Sequence, residues 1–105
     1  MNDTTQPASL AGMVEYQTDA VVSKTIVKKG TGTVTLFAFD EGQGLSEHTA
    51  PFDAMVQVLD GEVEITIASQ PYHLKQGEFI VMPANIPHAL KGTKKFKMML
   101  IMIRS

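Results

Sequence analysis

Apolar and polar residues alternate with a period of two over short stretches, and turn residues interrupt them at regular intervals. That period puts successive side chains on opposite faces of a strand and predicts half-buried β-structure. The pattern predicts strands over 21–28, 33–39, 46–49, 54–59, 62–68, 72–74, 79–82, 88–90 and 96–103. Glu62 to Ala68 is the cleanest, with Val63, Ile65 and Ile67 on one face and Glu62, Glu64 and Thr66 on the other. Lys29-Gly30-Thr31-Gly32 and Asp40-Glu41-Gly42-Gln43-Gly44 end the first two strands, and Asp60-Gly61 reads as a two-residue hairpin. No helix of any length fits between these stops. Short strands with Gly and Pro turns predict an all-β, antiparallel sandwich or barrel.

Two segments break the alternation. In Val34–Phe39 the sets Val34/Leu36/Ala38 and Phe37/Phe39 are both apolar. In Met98–Ile103 so are Met98/Leu100/Met102 and Met99/Ile101/Ile103. A strand apolar on both faces is covered on both. In a small barrel the outer face would be wet, so a homodimer with sheet packed on sheet is expected. Residues 1–19 form an N-terminal arm, partly ordered, and residues 20–105 form the barrel. Leu10, Met13, Val14 and Tyr16 give the arm apolar residues for docking on a neighbour, through a short helical turn.

Composition narrows the function classes. The chain has 105 residues, a net charge of −2, no cysteine and the single arginine Arg104. That charge attracts no nucleic acid. No apolar run approaches ~20 residues, so no membrane-spanning segment is expected. The polar N-terminus lacks the apolar stretch of a secretory signal. Zero cysteines exclude disulfides and thiolate chemistry and fit a cytoplasmic protein.

Two glycine-bounded segments carry the remaining information. One runs Gly42, His48, Ala50, Ala54, Gly61, and the other runs Gly77, Pro83, Asn85, His88, Gly92. Their spacing resembles the two motifs of the cupin family, of the small single-domain, RmlC-like cupin 2 type. The resemblance implies a double-stranded β-helix, the cupin jelly-roll barrel. It also implies a lumen where two histidines and a glutamate from the first motif and a histidine from the second bind a metal. Here His48 and His88 occupy two ligand slots, and Ala50 and Ala54 occupy the others. Asn85 replaces a glycine, which is intelligible because asparagine tolerates a left-handed backbone.

The resemblance implies that His48 and His88 converge inside the barrel. A catalytic zinc keeps three protein ligands and a non-haem iron site two histidines and a carboxylate, so two imidazoles fall one short. Asp53 would complete the set only if a one-residue bulge turned it inward; strand parity favours solvent. Gln57 is a candidate lumen residue, with an outward or interface amide the other reading. Met82 is a candidate lumen residue, and Met55, Met98, Met99 and Met102 suit either an adaptable pocket or filler at a core or seam. Ser46 shares a face with His48 but lacks the orienting carboxylate of a nucleophile–base pair. His73 reads as a surface strand residue, and Lys91, Lys94, Lys95 and Lys97 as edge protection.

Three functions follow. The first is a small molecule, anionic or carbonyl-bearing, held in the lumen by His48 and His88. The second is a metal-dependent cupin enzyme, of oxygenase or isomerase type, using zinc, nickel, iron or manganese on the same histidines. The third is a dimerisation module with a vestigial lumen.

Overall fold

The computed structural model describes residues 6–104, so the first five residues of the expected arm, and Ser105, lie outside the described residues. Eight strands form: β1 (Val21–Lys29), β2 (Gly32–Phe39), β3 (Gly44–His48), β4 (Asp53–Ile67), β5 (Gln70–Lys75), β6 (Phe79–Met82), β7 (His88–Lys91) and β8 (Phe96–Ile103). The pairings run β1-β2-β8-β4-β7-β3, with β5 and β6 also paired to β4. Every pairing is antiparallel. Among the described residues the one helical element is a 3-10 turn, Ala11–Met13.

The expected hairpin at Asp60-Gly61 does not form. The chain runs through it as one 15-residue strand. A two-residue type I′ hairpin needs positive φ at both central residues. Gly61 has φ +76°, but Asp60 is not among the positive-φ residues. Gly61 instead accompanies a register shift between Val58 and Asp60. One extra residue there restores the inward parity, from Ala54, Val56 and Val58 to Val63 and Ile65. The strand bends and changes layers: before Gly61 it pairs with β6 and β8, and beyond it with β5 and β7. A side chain at Gly61 would run into the Lys95 carbonyl. The true two-residue turn is Ala68–Ser69, with φ 51° and 67°, closing the Ile67↔Gln70 pair. Neither residue signals that backbone.

The core lies between the two layers. Phe39, Val56, Val58, Val63, Ile65 and Phe96 are fully or almost fully buried, joined by Ala54, Met82, Leu90 and Met98. The rings of Phe39 and Phe96 stack with centroids 4.4 Å apart. Burying each such side chain is worth about 1.5–3 kcal/mol, and period-two placement brings them to one interior.

The two-faced apolar strands find half their outer cover within the chain. Val14, from the arm, closes over Leu36 and Ala38, with Leu10, Met13 and Tyr16 packed alongside. The Tyr16 hydroxyl donates to Asp60 at 2.6 Å, and Lys95 and Lys97 sit over its ring at 4.8 and 5.0 Å. Lys97 Nζ also donates to the Ala11 carbonyl at 2.6 Å. Lys95 and Lys97 thus strap the arm down, a role beyond the edge protection read from sequence, while Lys94 pairs with Glu62 at 3.1 Å.

The two special backbones give opposite mutational signs. Gly61→Ala is expected to destabilise by more than about 1 kcal/mol, because alanine resists positive φ and its methyl meets a carbonyl. Ala68→Asn with Ser69→Gly is expected to stabilise by about 1 kcal/mol or more, since both residues suit the turn. Urea denaturation midpoints of the two proteins check both signs.

Candidate functional site

Strand register brings the two motifs together. His48 ends β3 and His88 opens β7, and the two are ladder partners. His88 also faces Ile67 across the β4–β7 pairing. The second motif is tied to the first by its turn: Asn85, at φ 62°, donates its N–H to the Ala50 carbonyl at 2.7 Å. Asn85 therefore adopts the left-handed backbone expected of it. The imidazoles meet edge to face with centroids 4.4 Å apart. His88 is buried, 5% exposed, whereas His48 is exposed at the rim.

The tautomers follow from the partners. His48 Nδ1 lies 2.7 Å from the Ser46 carbonyl, and His88 Nδ1 lies 3.1 Å from the Ile86 carbonyl. A carbonyl only accepts, so each Nδ1 carries the proton and donates. Each neutral ring then keeps its lone pair on Nε2, and these two atoms face each other at 3.1 Å. Two lone pairs make no hydrogen bond with one another. They form a pair of acceptors that suits a donor, a proton or a metal ion placed between or beside them. This revises the expected ligand end: a carbonyl or anion would meet like polarity here. Burial pushes the His88 pKa below its ordinary value, and the neighbouring His48 adds to that, against the Ile86 hydrogen bond.

The other expected residues separate cleanly. Met82 is buried in the core between the layers, opposite Ala54. Gln57 is not a lumen residue. The register is unbroken from Asp53 to Val58, so with Ala54, Val56 and Val58 buried in the core, Gln57 faces outward beside Met99. The β4 bulge comes after Gln57, too late to turn it. Asp53 faces outward for the same reason. Its carboxylate accepts from the Ala84 N–H at 2.9 Å, and it lines a hollow of about 270 Å³ with Phe52 and Arg104. Ser46 meets His48 through its carbonyl rather than its hydroxyl. His73 is an exposed strand residue 3.7 Å from Glu62. Met98 and Met102 belong to the inner face, Met99 packs under the arm, and Met55 faces outward.

A metal fits this donor set incompletely. Metal–nitrogen bonds of about 2.0–2.1 Å to both Nε2 atoms are compatible with their separation, and Nδ1–H donation to a carbonyl is the usual support for a ligating histidine. Yet the described residues contain no group of three His, Cys, Asp or Glu side chains that could hold an ion. Sequence reasoning missed the Ser46 and Ile86 carbonyls. Their role depends on a ring turning back to a residue two positions earlier, which no residue type announces.

Two antiparallel layers sharing one long strand, with imidazoles from two turn-bounded motifs meeting at the lumen, define a small double-stranded β-helix. The family profile described as "Cupin domain" matches residues 35–104, and the chain belongs to the cupin family. It is similar to a conserved protein of unknown function from Streptococcus pyogenes, with 37% identity, 98% of this chain and 90% of that chain covered, and a TM-score of 0.93. It is similar also to a cupin 2 conserved barrel domain protein from Leptotrichia buccalis, with 46% identity and a TM-score of 0.85. That match covers 89% of this chain and 45% of the other, so the present chain spans less than half of that protein. A cupin superfamily protein from Desulfitobacterium hafniense matches with 28% identity over 100% of this chain and 97% of that one, with a TM-score of 0.93. Among curated proteins none matches. No helix among the described residues is long and apolar enough to cross a membrane.

The lowered His88 pKa sets a pH dependence. The folded state favours the neutral ring, so its contribution to stability is present above the unfolded value near ~6.5 and is lost as pH falls through the lower folded value. The melting temperature is expected to fall as pH drops from 7.5 to 5.5, and His88→Asn to flatten that slope. Differential scanning calorimetry across that range checks it, above the pH where Asp and Glu titrate.

Proposed function

We propose that the chain is a small-molecule-binding cupin whose ligand sits in the lumen against His48 and His88 and presents a hydrogen-bond donor to their Nε2 atoms. One observation supports this reading: two tautomer-fixed acceptors converge where β3 meets β7, their Nε2 atoms 3.1 Å apart. An apolar cavity with few convergent polar groups is the usual form of a ligand site. Ala54 leaves a methyl group in the slot of the family's glutamate, giving room instead of a charge. The second reading is a metal-dependent enzyme of oxygenase or isomerase type on zinc, nickel, iron or manganese. His48 and His88 would hold the ion, which would supply Lewis-acid or redox chemistry, and substrate or water would complete its coordination. The absence of a third side-chain ligand among the described residues makes it second. The cytoplasm is the setting we propose, on the lack of cysteine.

Protein purified without a histidine tag is expected to carry well under one equivalent of transition metal by elemental analysis. His48→Ala/His88→Ala should fold and give the same value. A near one-to-one metal content, lost in that double variant, would overturn the binder in favour of the enzyme.

The partner we infer is a second copy of the chain. The outer face of the β1-β2-β8-β4-β6 layer carries one ladder row, Val27–Val34–Ile101–Met55–Val81. At ~4.8 Å between strands this row is about 19 Å wide and wholly apolar. Val27 and Val81 are exposed, as are the flanking Phe79 and Ile103. A hollow of about 220 Å³ opens among Gly32, Val34, Ile101 and Ile103, ready for a side chain from an opposing face. The arm covers the neighbouring Leu36, Ala38 and Met99 instead. Light scattering is expected to show a dimer that Ile101→Glu converts to a folded monomer; a monomeric wild type contradicts this.

A further inference from the structure

Opposite charges that line one small hollow ordinarily find partners inside the chain. At the larger hollow by the Gly61 corner, about 700 Å³, they do. Asp60 accepts from the Tyr16 hydroxyl, Asp40 accepts from the Asp19 N–H, Lys94 pairs with Glu62, and Lys95 lies over the Tyr16 ring. The hollow of about 270 Å³ beyond the apolar row differs. Asp53 and Arg104, the chain's single arginine, both line it. Among the described residues they form no ion pair, with each other or with any other residue.

Each is held in place by something else. Arg104 donates its backbone N–H to the Thr31 carbonyl at 2.7 Å, and its guanidinium lies over the Phe52 ring, 5.1 Å from the centroid. A guanidinium resting on an aromatic ring keeps its N–H fork available to a carboxylate. Asp53 Oδ1 accepts the Ala84 N–H at 2.9 Å, and no described residue donates to Oδ2. Next to Ala84, the Asn85 N–H reaches the Ala50 carbonyl at 2.7 Å. The turn carrying Ala84 is thereby tied twice to the segment carrying Phe52 and Asp53. The rest of the lining, including Pro51 and Ile103, is apolar. A volume just under the ~300 Å³ at which pockets for drug-sized ligands begin limits the occupant to a small molecule.

We propose that this hollow is a second binding site, for a free α-amino acid with a small apolar side chain. The amino acid's carboxylate accepts from the Arg104 guanidinium, its ammonium donates to Asp53 Oδ2, and its side chain rests on Phe52 and Ile103. A molecule carrying both charges on one carbon satisfies two groups that the fold leaves unpaired. A plain acid or a plain amine satisfies only one. Neither histidine of the pair takes part, so this assignment is independent of the reading given to that pair.

NMR titration of the whole chain at neutral pH and low salt tests it with three probes of one shape: L-valine, 3-methylbutanoate (no ammonium) and isobutylamine (no acid). An exposed charge pair is worth up to about fivefold. L-valine is therefore expected to bind about fivefold tighter than either other probe, shifting the Ala84 amide and the Arg104 side-chain signals. Asp53→Asn, whose amide oxygen still accepts from Ala84, should erase the preference for valine over 3-methylbutanoate. Arg104→Gln should erase the preference over isobutylamine. Equal binding of valine and 3-methylbutanoate, no binding of any probe, or full preference retained in both variants overturns the proposal. Valine shifts centred on His48 and His88 overturn it too, while supporting a ligand site at the histidine pair.

Discussion

Strand β4 is the element that everything else is built on. It alone pairs with four others, β6 and β8 on one side of Gly61 and β5 and β7 on the other. A single strand shared by both layers curls the sheet over on itself without a separate connection. The curl keeps one interior because one residue is inserted near the bend. Without it, Val63 and Ile65 would point outward and half the core would be lost. Gly61 is where the chain passes against the Lys95 backbone, and the Tyr16–Asp60 hydrogen bond holds the arm against the same corner. The bend of β4 and the docking of the arm therefore meet at one place.

The site depends on that curl in a more specific way. Only because β3 and β7 are neighbours do the imidazoles meet, and only because each ring turns back to a carbonyl does each show an unprotonated nitrogen. Two neutral imidazoles with free tautomers could satisfy one another by one donating to the other. Here the backbone has claimed both protons, so the pair's capacity is directed to a third body. Burial of His88 works in the same direction, since it disfavours the imidazolium that would otherwise fill the gap with a shared proton. With Ala54 where the family's motif has a glutamate, the histidine pair has no third His, Cys, Asp or Glu side chain to complete a metal-binding group among the described residues. A ligand donor suits this arrangement with no further protein group, whereas a metal needs ligands brought from outside.

Much of the fold was legible in the residues because alternation and turn residues are local signals, and seven of the eight strands lie within a residue or two of their predicted bounds. The meeting of His48 and His88 was legible through motif spacing, and so was the left-handed backbone at Asn85. The Asp60-Gly61 corner misled, because one left-handed glycine serves a bulge as well as a hairpin, and what distinguishes them is the conformation of Asp60. Gln57 was ambiguous for a related reason: its face depends on whether the bulge precedes or follows it. The turn at Ala68–Ser69 was invisible, since neither residue favours the backbone it adopts. The apolar outer faces of β2 and β8 pointed to a covering surface. Composition could not divide that surface between the chain's own arm, which covers Leu36 and Ala38, and the bare row centred on Ile101.

The central claim is that both histidines carry their proton on Nδ1 and offer Nε2 as an acceptor. Side-chain nitrogen NMR of protein labelled at histidine nitrogens, at pH 7.5, tests it most directly. His48 and His88 are both expected to show protonated Nδ1 and lone-pair Nε2 resonances. A protonated Nε2 on either ring of the pair at that pH would contradict it.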